Sequence, residues 1–241
     1  MSVTYLDIAK MIDHSLLNPT LSEADLDAGI ALALRYDTGS VCIMPHALRR
    51  CADMLRGSTV KASTTIGFPH GGHTTAIKLA ETKVALADGG EELDMVVNIS
   101  KVLSGDWDYV REDIRVVTEE THAHGQKVKV IFENCYLNDD QKIRLCEICS
   151  EIGVDWVKTS TGYGTGGATD EDLRLMRAHS APSVQVKAAG GVRDYPAMLR
   201  VREIGVSRIG ASRTSQMLEE CRAALGLEPL VDGPVATATG Y

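Results

Sequence analysis

The sequence predicts an α/β protein built as a single (β/α)8 TIM barrel. Eight short runs rich in apolar and β-branched residues recur along the chain, and each is trailed by a stretch with helical spacing. The 241 residues match the length of one barrel domain, which is typically about 250 residues. With only two Trp, seven Tyr and two Phe, the core has to come from Val, Ile, Leu and Ala.

In chain order the predicted strands are His14–Leu17, Ser40–Met44, Val60–Phe68, Leu93–Asn98, Val128–Glu133, Trp156–Ser160, Val184–Ala189 and Ser207–Ala211. The first and last carry the least pattern. Between them Ser22 caps a run with Leu26, Ile30, Ala33 and Leu34 at helical spacing. Val110, Ile114 and Val117 follow the same rule and end at Gly125. Asn138 and Gln141 form a capping box whose helix closes at Gly153. An open doubly wound sheet is the alternative, but it wants a Gly-rich turn after its first strand, and Asp37-Thr38-Gly39-Ser40 precedes a strand instead. Residues 1–227 are read as the barrel. Residues 228–241, rich in Gly, Pro, Ala and Thr, are read as a flexible C-terminal tail.

The charge balance narrows the function. A net charge of −8 argues against a nucleic-acid partner, which would need a basic surplus to neutralise phosphates. No stretch approaches the roughly 18 to 20 apolar residues of a membrane span. The start MSVTYLDIAK lacks the basic-then-apolar layout of an export signal, so a cytoplasmic protein is expected. Cys146 and Cys149 make a formal CxxC, but they fall inside a helical run with Ile143 and Ile148, where packing rather than redox chemistry is the expected role.

Alternation in a barrel strand sends side chains in turn to the helices and to the barrel centre. With Val128, Val130 and Phe132 facing the helices, Lys129, Ile131 and Glu133 point inward. The same parity turns Asp94, Lys158 and Lys187 inward. Lysine is almost never buried unpaired, and desolvation together with a neighbouring ammonium favours the neutral amine. A neutral lysine is what a Schiff-base nucleophile requires. The competing reading is a structural network in which Asp94 merely pairs a lysine.

Ala189-Gly190-Gly191-Val192 and Gly210-Ala211-Ser212 follow successive late strands, where barrels often bind phosphate through backbone N–H groups and a helix N-terminus. Thr159-Ser160-Thr161-Gly162 offers further donors, although tight turns also call for glycine. His70 and His73, and His122 and His124, raise a metal-dependent alternative. No Asp, Glu or His set completes a site at ligand spacing, so no metal is expected.

Taken together, the chain resembles the deoxyribose-phosphate aldolase family, class I aldolases of the (β/α)8 fold. The likeness runs nearly end to end. Its most specific parts are Glu92-Leu93-Asp94-Met95-Val96-Val97-Asn98, Val157-Lys158-Thr159-Ser160-Thr161-Gly162 and Val186-Lys187-Ala188-Ala189-Gly190-Gly191-Val192-Arg193. Ile12-Asp13-His14-Ser15-Leu16-Leu17, Gly67-Phe68-Pro69, Ser104-Gly105-Asp106-Trp107 and Arg208-Ile209-Gly210-Ala211-Ser212 extend it.

The resemblance implies reversible cleavage of 2-deoxy-D-ribose 5-phosphate to D-glyceraldehyde 3-phosphate and acetaldehyde, with no cofactor. A related lysine aldolase for another phosphorylated sugar is the alternative. By the same resemblance Lys158 is the Schiff-base lysine, Lys187 the second lysine that lowers its pKa, and Asp94 the acid/base group acting with Lys187 and a water. Gly190, Gly191, Gly210 and Ser212 fall at phosphate-contacting positions, supported by Gly162. Asp13, Ser15, Cys42 and Lys129 fall on the substrate side or in its network. Lys129 is equally open to a structural ion pair with Asp94 or Glu133. Some family members end in a tyrosine that helps move the C2 proton, and Tyr241 is the last residue here, with an idle tail as the alternative. The implied partners are a small sugar phosphate and an aldehyde, and the implied assembly is a homo-oligomer. Four departures bear on substrate scope. Tyr163 stands where some members carry a lysine near the phosphate. Arg213 follows Ser212 where a smaller residue is common and offers a replacement charge. Asn134 and Tyr136 replace a threonine and a leucine.

Overall fold

The computed structural model describes residues 3–230. Eight parallel strands close on themselves in sequence order. They are β1 (Ile12–Leu16), β2 (Ser40–Ile43), β3 (Lys61–Ile66), β4 (Glu92–Val96), β5 (Lys127–Ile131), β6 (Trp156–Lys158), β7 (Gln185–Ala189) and β8 (Val206–Ala211). Around them run α1 (Tyr5–Ala9), α2 (Glu23–Tyr36), α3 (Leu48–Leu55), α4 (Thr75–Ala87), α5 (Ile99–Leu103), α6 (Trp107–Ala123), α7 (Asp139–Ile152), α8 (Asp170–His179), α9 (Tyr195–Ile204) and α10 (Thr214–Ala224). Among the described residues no helix is long and apolar enough to cross a membrane.

The predicted caps form as read. Ser22 accepts from the Asp25 N–H at the start of α2, Asn138 and Gln141 make a reciprocal capping box on α7, and Gly153 ends α7 with φ 81°. In that left-handed conformation a Cβ is unfavourable, which is why glycine stands there. Val128, Val130 and Phe132 are fully buried between sheet and helices, with Leu93, Met95 and Val97 in the same layer. Cys146 and Cys149 are buried in α7 as free thiols, consistent with packing.

The strands differ from their predicted bounds at the ends that matter most. β1 begins at Ile12, so it includes Asp13, a buried carboxylate that an apolar-pattern reading leaves out. β4 stops at Val96 because the Asn98 side chain caps α5. β5 stops at Ile131, and Glu133 turns the chain with φ 59°. β6 is only three residues long and ends on Lys158, releasing Thr159 and Ser160 into the following loop.

Candidate active site

The interior of the barrel is charged. Lys158 and Lys187 stand opposite each other in register on β6 and β7, and Asp94 stands opposite Lys129 on β4 and β5. Both Lys158 Nζ and Lys187 Nζ donate to Asp94 Oδ2 at 2.7 Å, while Lys129 Nζ donates to Asp94 Oδ1 at 2.9 Å. All four side chains are essentially removed from solvent, Lys158 retaining 3% exposure and Lys187 1%. Three lysines therefore converge on one carboxylate, as the alternation of the strands requires.

Lys187 Nζ also lies 2.5 Å from Asp13 Oδ2. Below it, Lys129 Nζ lies 2.7 Å from Glu92 Oε2, and Arg208 bridges Asp13 at 2.5 Å and Glu92 at 2.7 Å. Glu92 and Arg208 were not singled out from the sequence, yet the signal was present. Glu92 sits two residues before Asp94, and Arg208 two before Gly210, so strand parity already turns both inward. Of the two structural partners offered for Lys129, Asp94 is correct and Glu133 is not. Beyond the end of β5 the Glu133 carboxylate instead accepts from the N–H and hydroxyl of Thr161, which fixes the loop after β6.

These surroundings separate the two lysines. Burial pushes the Lys158 amine down; the Asp94 carboxylate opposes that shift, and the Lys187 ammonium adds to it. Burial acts on Lys187 too, but Asp13 and Asp94 overcome it, and its pKa is raised. Burial alone would lift the Asp94 carboxyl, yet Lys129, Lys158 and Lys187 hold it well below the usual carboxylate range. The neutral-lysine expectation is met in direction. Desolvation is its main cause, and like-charge repulsion is a supporting one.

Lys158 and Lys187 form the floor of a cavity of about 510 Å³ at the C-terminal mouth of the barrel. Asp13, Ser15 and Cys42 line one side, and Gly162, Gly190, Gly191, Gly210 and Ser212 line the other. The predicted substrate-side and phosphate-side residues thus share one space with the lysines; Asp94 and Lys129 lie beneath it. The N-terminus of α10 follows Ser212 and Arg213, supplying a helix dipole at the glycine end. Arg213 lines the cavity and has no carboxylate partner among the described residues. The Tyr163 hydroxyl donates to the Leu17 carbonyl, and its ring meets Phe68 edge-on at 5.5 Å. Tyr163 therefore spans from the loop after β6 to the ends of β1 and β3. Tyr241 lies outside the described residues.

The histidines stand apart from the cavity. His122 Nε2 lies 2.8 Å from Asp155 and His73 Nδ1 3.2 Å from Glu81. Such a site can form a covalent adduct with a carbonyl, move protons beside it, and hold an anion at its far end.

Comparison with known proteins points the same way. Residues 8–217 match the family model of the DeoC/LacD family aldolases. A deoxyribose-phosphate aldolase from Rhodopirellula baltica is 67% identical over 237 residues, covering 98% of each chain. One from Thermococcus gammatolerans is 45% identical over 221 residues, 91% of this chain and 98% of that one. Among solved structures, the tetrameric deoxyribose phosphate aldolase from Aeropyrum pernix superposes with a TM-score of 0.84 at 28% identity, covering 92% of this chain and 93% of that chain.

Proposed function

The chain belongs to the DeoC/LacD family of aldolases, and from that premise we propose that it reversibly cleaves 2-deoxy-D-ribose 5-phosphate to D-glyceraldehyde 3-phosphate and acetaldehyde through a Schiff base on Lys158. The observation that carries the reading is the pair of lysines sharing Asp94 Oδ2 on the floor of a cavity whose far end is built of glycines and a helix N-terminus. The two ends suit the two ends of an open-chain sugar phosphate, its aldehyde and its dianion.

In the cleavage direction the neutral Lys158 amine adds to the C1 carbonyl, and the carbinolamine loses water to give a protonated imine. A base takes the C3 hydroxyl proton, the C2–C3 electron pair moves toward the imine nitrogen, and glyceraldehyde 3-phosphate leaves with a new C3 carbonyl. The remaining enamine takes a proton at C2. Water then adds to the imine and releases acetaldehyde and the free amine.

Asp94 is held too acidic to be a strong base alone, so it is assigned to a relay with Lys187 and a water. The Lys187 ammonium, with its raised pKa, supplies the proton store. Gly190, Gly191, Gly210 and Ser212 are assigned to the phosphate, with Gly162 beside them. Asp13, Ser15 and Cys42 are assigned to the substrate side, and Lys129 to the network that holds Asp94. A cytoplasmic homo-oligomer is proposed as the setting; the tetrameric Aeropyrum relative supports the assembly.

Incubation with acetaldehyde and borohydride, followed by peptide mass spectrometry, should place the reduced adduct on Lys158. Lys158→Ala should lose retro-aldol turnover by at least about 10³-fold. An adduct on another lysine, or substantial turnover in that variant, contradicts the assignment. If deoxyribose phosphate releases no acetaldehyde while another phosphorylated sugar is cleaved, the substrate is wrong and the lysine chemistry stands.

A further inference from the structure

Seven ionisable side chains meet inside the barrel. Three are carboxylates, Asp13, Glu92 and Asp94, and four are bases, Lys129, Lys158, Lys187 and Arg208. All are buried except Arg208, whose side chain keeps 14% exposure. In a low-dielectric interior a surplus charge is costly, so the cluster is most stable when its positive and negative charges are equal in number. With three carboxylates ionised, only three of the four bases can keep their charge at balance.

The contacts decide which base gives up its proton. Arg208 bridges two carboxylates and a guanidinium does not deprotonate at ordinary pH. Lys129 touches Asp94 and Glu92, with Asp13 at 3.6 Å. Lys187 touches Asp13 and Asp94. Lys158 touches one carboxylate oxygen, Asp94 Oδ2, which it shares with Lys187. It is the least compensated of the four.

We propose that Glu92 and Arg208, which lie below the cavity and away from substrate, are positioning residues that fix the charge of this cluster and thereby keep the proton off Lys158. Arg208 is the third cation. By filling the negative charge that Asp13 and Glu92 would otherwise present to the lysines, it makes Lys158 the surplus base. The same balance acts after the imine has formed. A protonated imine restores the fourth positive charge, and flow of the C2–C3 electron pair onto nitrogen removes it again.

No other charged group upsets this count at Lys158. From β2 comes Cys42, whose thiol burial pushes upward and so keeps neutral. On β3 Ser63 and Thr65 share their face with Lys61, which is partly exposed at the far rim and paired with Glu91 at 2.7 Å, and β6 adds Trp156, whose ring lies 5.6 Å from Lys129 and 5.1 Å from Arg208. Lys127 is exposed at the opposite rim. Glu133 turns to Thr161, and Arg193 and Arg213 stand at the mouth.

The inference rests on Lys158 as the imine-forming residue, and the test separates the two. Two quantities are read in the full chain: the pH dependence of kcat/KM, and the pH dependence of Lys158 acetylation by trace acetic anhydride, followed by mass spectrometry. Arg208→Gln leaves a spare negative charge, so Lys158 should hold its proton more tightly. Both the acidic limb and the labelling midpoint should move up by about one pH unit, with activity recovering at high pH. Glu92→Gln should move both the other way.

The double variant Glu92→Gln/Arg208→Gln restores equal numbers and should return both toward the wild-type position. Arg208→Lys, which keeps the charge, should leave them in place. A structural role predicts instead a loss at every pH alike and a double variant worse than either single one, and that result overturns the proposal. If Arg208→Gln fails to fold, the direction of the Glu92→Gln shift decides. An acetaldehyde adduct away from Lys158 defeats the functional reading alone, since the labelling midpoint still reports the charge balance.

Discussion

Arg213 is the side chain at which the phosphate preference of the proposed function can be tested. It lines the glycine end of the cavity beside Ser212, at the N-cap position of α10, and no carboxylate among the described residues neutralises it. The Tyr163 hydroxyl donates to the Leu17 carbonyl. In the proposed function the phosphate charge is assigned to backbone N–H groups at the glycine end together with Arg213 and Arg193, which both line the cavity. Arg213→Ala should raise KM for the sugar phosphate about tenfold, about 1.4 kcal/mol, with kcat little changed and turnover of unphosphorylated deoxyribose unaffected. Steady-state kinetics on both substrates checks this, and an unmoved KM for the phosphorylated one removes Arg213 from the site. At this scale the lysines and Asp94 were legible because a charge in an apolar strand is conspicuous. Asp13, Glu92 and Arg208 form the supporting network, and only pairing across the closed barrel shows that they meet. The ladder between β7 and β8 shifts register at Val186 and Lys187, so Lys187 pairs with Arg208 in a way that counting along a strand does not reveal.

Loops carry the next layer of the design. A Cβ on Gly167 would lie 2.7 Å from the Gly190 carbonyl carbon and 2.9 Å from its oxygen. That clash is backbone on backbone and cannot be relieved by a rotamer. The neighbouring Ala168 N–H donates to both Ala189 and Gly190 carbonyls at 3.1 and 3.0 Å, so the loop after β6 is strapped directly to the turn after β7. Gly167→Ala should cost about 1 to 3 kcal/mol of stability and should raise KM for the sugar phosphate more than it lowers kcat. Thermal melts beside kinetics will tell; a variant with wild-type KM would mean the two loops move independently. The α7 cysteines give the opposite expectation. Cys146 is buried with its Sγ 3.8 Å from the Met176 carbonyl, far from the cavity lining. Cys146→Ser should leave turnover unchanged in oxidising or reducing buffer, at a cost of about 1 kcal/mol in unfolding free energy for burying a hydroxyl. Helix caps and the packing role of this CxxC were legible because both are local in sequence. Strand ends were not, because the residue that ends a ladder, such as Asn98 or Glu133, does so through a contact made beyond the strand.

The closed barrel places its charge inside and a buried histidine at its seam, and this fixes how the whole molecule responds to acid. His14 on β1 points away from the cavity, with Nδ1 2.8 Å from the Thr214 hydroxyl at the first turn of α10. Burial pushes its pKa from 6.5 down to about 4. Between those values the unfolded chain binds a proton that the native protein refuses, so native stability falls as pH is lowered through that window and is fully present above it. At 1.36 kcal/mol per pH unit this is about 3 kcal/mol between pH 7 and pH 4. Asp13 and Asp94, both held below the ordinary carboxylate range against the pull of burial, act in the same direction at lower pH. Their contribution is present above the unfolded carboxyl pKa and is lost as pH falls through the native one. Acid therefore strikes the fold first at the β1–α10 seam and only later at the lysine cluster. Urea unfolding at pH 7 and pH 4 should show the wild-type chain losing about 3 kcal/mol more than His14→Gln, because glutamine can keep a hydrogen bond to Thr214 without titrating. Equal losses in the two proteins would assign the acid sensitivity to the carboxylates and acquit the histidine.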